Sequence, residues 1–199
     1  MNRLKAVAEI RKSTKTAAVQ AQAETPMLFS QIRQPSTKYL AVPEVSSQNR
    51  KYIPIGFLTP DIIASNKLYL VPNADLYMFG IMTSNVHMAW MRVIAGRLKS
   101  DYSYSPAVYN NFPWPTPTDE QKAKIEQTSQ AILDARDLYP DASLADLYDP
   151  ATMPPELVKA HQQNDKAVMR AYGFDIKTTT ESSCVAELMR RYQGLMEEA

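Results

Sequence analysis

Cysteine, histidine and glycine are scarce in this 199-residue chain, with one, two and five copies respectively. A lone Cys184 excludes an internal disulfide and suits a reducing compartment. Together with only His87 and His161 it offers no zinc-site spacing. The five glycines form neither a G-x-G-x-x-G nor a Walker A stretch, so no dinucleotide or triphosphate cradle is visible. No G-x-S-x-G elbow occurs, and neither histidine has a triad context; both read as structural. Cys184 reads as a buried, inert thiol. No hydrophobic run approaches membrane-span length, and the N-terminus lacks the apolar core of a signal peptide. These absences point to a cytoplasmic protein with no membrane partner.

What is present is a hydrophobic fraction of 45%, enough for one sizeable core or two small ones, and a strong division of charge. The net charge is only +1. Residues 1–117 nevertheless carry 13 Lys and Arg against 6 Asp and Glu, and residues 118–199 carry 9 against 15. A basic first half suits a polyanionic partner, while an acidic second half faces water or protein.

The patterning changes along the chain in the same way. Residues 3–23 are helix-prone with a thin apolar stripe, and Thr25-Pro26 ends them. From residue 27 to about 80, β-rich segments are interrupted by Pro35, Pro43, Pro54, Pro60 and Pro72, which favours short or edge strands. Ser84 is the expected N-cap of a helix whose apolar face is Val86, Ala89, Trp90, Val93 and Ile94. Residues 109–117, Y-N-N-F-P-W-P-T-P, read as a stiff proline- and aromatic-rich connector. Beyond it, Thr118 and Gln121 form a capping-box pattern that opens a helical second half. The expected fold class is α+β: an N-terminal helix (1–25), a small mixed β-rich domain with a central helix (26–108), the connector (109–117) and a helical C-terminal domain (118–199).

Residues 97–105, R-L-K-S-D-Y-S-Y-S, carry the most pointed pattern. In an extended chain Arg97, Lys99, Asp101 and Ser103 share one face, and Leu98, Tyr102 and Tyr104 share the other. A solvated strand with an in-row salt bridge is the plain reading. The alternative is chemical: a lysine can donate to guanine O6 and N7 and an aspartate can accept from cytosine N4, so the pair could read a G·C base pair. Arg33, Arg50, Lys51 and Lys38 supply basic side chains among polar loop residues, as phosphate contacts require. Asp61 with Glu120 and Lys122 could imitate a metal nuclease set, but Glu120 and Gln121 already serve the helix start.

Four long blocks carry a family likeness. A-V-P-E-V-S-S-Q-N-R-K-Y-I-P-I-G-F-L (41–58), H-M-A-W-M-R-V-I-A-G-R-L-K-S-D-Y-S-Y-S (87–105), V-Y-N-N-F-P-W-P (108–115) and L-D-A-R-D-L-Y-P-D-A-S-L-A-D-L-Y-D-P-A-T-M-P-P-E-L-V-K-A-H (133–161) resemble the C-terminal part of the MmeI-like DNA methyltransferases. These are restriction-modification enzymes that join adenine methylation, and often cleavage, to target recognition in one chain. The resemblance implies a target recognition domain followed by a helical C-terminal region. It places the S-adenosylmethionine pocket and the Asn-Pro-Pro-aromatic motif in a catalytic domain that is not part of this sequence. The chain is therefore expected to hold no cofactor, metal or catalytic residue and to be inactive alone. Its expected partners are double-stranded DNA and the catalytic domain of the same parent protein, with residues 3–23 leading in from that domain. By the same resemblance Lys99, Asp101, Ser103 and Lys67 face base edges; the basic side chains Arg33, Arg50, Lys51 and Arg97 are the expected phosphate contacts. The rival expectation is an assembly module with no base readout, whose acidic helical half docks on a protein partner.

Overall fold

The computed structural model describes residues 3–197, which fall into two compact units that divide after Pro35. In the first unit the helix-prone stretch divides into α1 (Arg3–Ser13) and α2 (Ala17–Ala21), followed by a single 3-10 turn (Gln22–Glu24). The break falls in S-T-K-T, where Ser13 and Thr14 hydroxyls donate to the Ile10 and Arg11 carbonyls at 2.9 and 3.0 Å. Such side chains compete with the helix for its own backbone acceptors. Arg11 then fastens the returning chain, donating to the carbonyls of Gln22, Thr25 and Leu28 at 2.9, 2.9 and 2.7 Å.

The second unit begins with two three-stranded sheets, both antiparallel. Their strands are β1 (Tyr39–Pro43), β2 (Val45–Ser46), β3 (Gly56–Leu58), β4 (Leu68–Pro72), β5 (Gly96–Leu98) and β6 (Asp101–Ser103). The strand orders are β3-β1-β4 and β2-β6-β5. β1 is central in its sheet, and its residues 39–42 are buried. Pro43 and Pro72 close β1 and β4, and Pro54 and Pro60 flank β3, consistent with proline's missing N–H.

Helices fill the rest: α3 (Leu76–Met82), α4 (Asn85–Ile94), α5 (Pro106–Asn110), α6 (Asp119–Asp137), α7 (Leu144–Leu147), α8 (Pro155–Ala171) and α9 (Glu181–Glu197). The chain is thus α+β. The apolar run at 76–82 makes a helix of its own, capped by Asp75, whose carboxylate accepts from the Met78 N–H at 2.8 Å. Ser84 caps α4, and Thr118 with Gln121 forms both halves of a capping box on α6. No helix among the described residues is long and apolar enough to cross a membrane.

Helices α3, α6 and α8 meet closely at Gly80. A Cβ there would lie 2.1 Å from Ser129 Oγ, 2.7 Å from Ile125 Cγ2 and 3.0 Å from Asn164 Oδ1. Removing the side chain lets α3 approach α6 and α8 closely enough for Asn164 to donate to the Gly80 carbonyl at 2.7 Å while accepting from Thr128 Oγ1 at 3.0 Å. The connector is packed as well. Phe112 is buried with its ring against His87, Trp90, Trp114 and Tyr172, and Trp90 Nε1 donates to the Val108 carbonyl at 2.9 Å.

Buried polar groups join the strands to these helices. Asp165 of α8 accepts from Tyr52 Oη at 2.7 Å and from the Asn85 N–H at 2.8 Å, so one carboxylate holds the β2–β3 loop and the start of α4. Tyr52 also stacks on His161, with ring centroids 4.0 Å apart. Arg136 donates to the Tyr148 oxygen, which leaves the Tyr148 proton for His161 Nε2 at 2.6 Å. Burial pushes His87 down to about 4; burial and then the Arg136 guanidinium push His161 down to about 3. Asp165 moves the other way, raised by burial to about 6.

Two outcomes follow from this packing. Gly80→Ala should lower stability by about 2–3 kcal/mol, although alanine is the better helix former by about 1 kcal/mol. Thermal unfolding checks it, and an unchanged midpoint would show that the helices have room to spare. The second outcome concerns acid. The unfolded chain protonates both histidines near 6.5 and the folded chain only near 4 and 3, so their stabilisation is lost as pH falls below 6.5. Asp165 opposes this: its folded value of about 6 lies above the ordinary 3.8, so it favours folding at acid pH and loses that contribution as pH rises through 6. Two histidines outweigh one aspartate, and the step from pH 7 to 5 should cost about 2 kcal/mol in denaturant unfolding. Equal stability at the two values would contradict the buried neutral imidazoles.

Candidate nucleic-acid interface

The two sheets meet at Glu44, the single residue between β1 and β2. Its N–H donates to the Lys67 carbonyl at 2.9 Å, and its own carbonyl accepts from the Tyr104 N–H at 2.7 Å. The start of β4 is thereby brought beside the end of β6, so Lys67 and Ser103 become neighbours of one residue. The Glu44 carboxylate also takes the Lys67 ammonium at 2.9 Å. This hydrogen bond, and then the charge behind it, raises the Lys67 pKa. Lys67 remains largely in solvent, with 70% of its side chain exposed, so the bond aims the ammonium without burying it.

The expectation for residues 97–103 requires correction. They form a β-hairpin, pairing Gly96 with Ser103, Arg97 with Tyr102 and Leu98 with Asp101, with Lys99 and Ser100 as its two-residue turn. Residues paired across a hairpin point to the same side, so Arg97 lies with Tyr102 and not with Asp101 and Ser103. Leu98 lies with Asp101 and not with the tyrosines. Lys99 belongs to neither face. It stands at the tip with φ 58°, in the left-handed region that favours glycine in such turns.

The physical reason for the reversal is the Arg97 guanidinium. It donates to the Ser100 carbonyl at 2.9 Å, closing the turn, and lies 3.8 Å over the ring of the buried Tyr102. Asp101 is oriented from the neighbouring loop, where the Gln48 N–H donates to its Oδ1 at 3.1 Å. Oδ2 remains as a second acceptor on the face it shares with Ser103. An exposed ammonium, an oriented carboxylate and a hydroxyl are thus presented by one rigid hairpin, with the Lys67–Glu44 pair alongside.

The four expected phosphate contacts differ in their surroundings. Lys51 is exposed, its ammonium 5.4 Å over the Tyr52 ring. Arg50 is half-buried and reaches the Ala145 carbonyl of α7 at 3.5 Å. Arg97 is occupied in closing the hairpin. Arg33 is exposed and belongs to the other unit, residues 1–35. Glu44 is the residue that sequence reasoning missed. A single acidic residue inside the run A-V-P-E-V-S-S, between two β-rich segments, was the available signal.

Comparison with known proteins agrees along the whole chain. Residues 1–116 match the family model described as the MmeI target recognition domain, and residues 117–198 match the MmeI C-terminal domain. DNA methyltransferase A of Bacillus subtilis (strain 168) is 40% identical over 174 residues, which are 87% of this chain and 20% of that protein. A solved structure of the Type IIL restriction-modification enzyme MmeI in complex with DNA superposes with a TM-score of 0.88 at 47% identity, covering 98% of this chain and 26% of that one. The chain spans about a fifth to a quarter of the length of these relatives. It belongs to the MmeI family, as that family's target recognition domain followed by its C-terminal domain.

Proposed function

We propose that this chain reads the base sequence of double-stranded DNA through the major groove, as the recognition part of a larger, cytoplasmic, adenine-specific (N6) DNA methyltransferase of the restriction-modification kind. The observation that carries the reading is the β5–β6 hairpin, whose Arg97-locked turn projects Lys99 beyond the sheet next to the oriented Asp101 carboxylate. A hairpin of this kind is narrow enough to enter the major groove. At its tip Lys99 donates to guanine O6 and N7 and Asp101 accepts from cytosine N4, so the two together select a G·C pair. Ser103 and the Glu44-directed Lys67 address a neighbouring pair, where the carboxylate of Glu44 adds an acceptor to the ammonium's donors. Arg33, Arg50, Lys51 and Arg97 supply positive charge for the phosphates, which sets position and not sequence.

Catalysis belongs to the catalytic domain of the longer protein, the second partner of this chain. S-adenosylmethionine is held there, and the target adenine is turned out of the helix into that domain. The helical C-terminal part carries the recognition surface through the Asp165 and Arg50 contacts.

Selection of bound duplexes from a randomised pool tests the readout. The chain should enrich a site with a G·C pair, and Lys99→Glu combined with Asp101→Arg should enrich C·G at that position; enrichment of the same bases by both would refute it. Position 99 separates folding from reading. A left-handed conformation costs a non-glycine residue about 1–2 kcal/mol, so Lys99→Gly should keep or raise the melting temperature while losing the guanine preference. A variant that melts lower, or still prefers guanine, would contradict the tip assignment.

A further inference from the structure

The β3–β4 crossover adds an apolar residue to the same surface. β3 and β4 both run antiparallel to β1, on its opposite edges. The chain therefore leaves Leu58, opposite Tyr39, and travels the length of β1 before re-entering at Leu68, opposite Pro43. Residues 59–67 make that crossing, and hydrogen bonds hold their backbone on either side of Ile63. The hydroxyl of Tyr39, a fully buried residue, donates to the Ile62 carbonyl at 2.6 Å. The Ile62 N–H donates to the Thr59 carbonyl at 3.0 Å, and the Lys67 N–H to Ser65 Oγ at 3.2 Å.

On this pinned loop Ile63 is 72% exposed, amid exposed Asp61, Ser65, Asn66 and Lys67. The loop ends at the lysine that Glu44 joins to β6, so it borders the surface on which Asp101 and Ser103 stand. A β-branched side chain on a fixed backbone has few rotamers to lose on contact. It can neither donate nor accept a hydrogen bond, and the apolar group that the major groove offers is the thymine C5-methyl.

We infer that Ile63, carried on the crossover loop that ends at Lys67, selects a thymine next to the G·C pair by packing on its C5-methyl group. The inference rests on the reading that the hairpin enters the major groove, and it adds an apolar position to a surface otherwise made of charges and a hydroxyl.

Replacing thymine by uracil removes that methyl group and nothing else. The chain would be titrated by fluorescence anisotropy against its selected duplex, with each thymine replaced by uracil in turn. One replacement should weaken binding about fourfold, the worth of one buried methyl group. Ile63→Ala should lose the same factor on the unmodified duplex and be indifferent to uracil at that position, while every other thymine behaves alike in both proteins. Ile63→Val, which keeps an apolar branch, should retain part of the discrimination. The inference is overturned if the enriched site has no such thymine, if no uracil weakens binding, or if Ile63→Ala keeps the uracil effect. The last result would assign the methyl contact to another residue of the surface. In each of these cases the guanine preference survives Ile63→Ala, so the inference fails alone. A chain that enriches no site removes the major-groove reading and this inference together.

Discussion

One buried carboxylate sets the relation between the strands and the helices. Asp165 takes Tyr52 Oη with one oxygen and the Asn85 N–H with the other, so α8, the β2–β3 loop and the N-terminus of α4 share a fixed point. A buried acceptor left without either donor would cost about 1–3 kcal/mol, which makes the geometry specific as well as stable. The Tyr52–His161 stack and the Arg136–Tyr148–His161 chain extend this seam across α6, α7 and α8. The C-terminal helices thus support the β-rich part from behind, and the glycine at position 80 lets them close on it.

The surface in front depends on backbone bonds made by Glu44. β1 belongs to one sheet and β2 to the other, and this one residue between them hydrogen-bonds to both Lys67 and Tyr104. Side chains far apart in sequence are placed on a common front without a helix among them. Changing the side chains at 67, 99, 101 or 103 alters the chemistry presented, while the backbone bonds that place them remain. None of these four side chains belongs to the core, so substitution there leaves the packing intact.

Much of the frame is written in local sequence. Ser84, Thr118 and Gln121 announce helix starts, and the prolines between 35 and 72 confine the strands to short lengths. Long sequence blocks identify the family. The hairpin is not legible in the same way, because R-L-K-S-D-Y-S alternates as well for one continuous strand as for two strands and a turn, and Lys-Ser lacks the Asn-Gly or Gly-x signal of a two-residue turn. What decides between them is an interaction of Arg97 with Ser100 and Tyr102 that requires the turn to exist. Glu44 and the Asp165 seam escape for a related reason: their partners lie 23 to 113 residues away, beyond any periodicity. His87 and His161 are fully buried, and the tyrosines that hold them are set by tertiary packing.

Dimethyl sulfate footprinting tests the central claim most directly, since the reagent methylates guanine N7 in the major groove. With the bound chain, the guanine of the selected G·C pair should be protected, and Lys99→Ala should restore its reactivity while other protected guanines stay protected. Equal protection by the two proteins, or none at that guanine, would contradict the assignment of the hairpin tip to the major-groove edge.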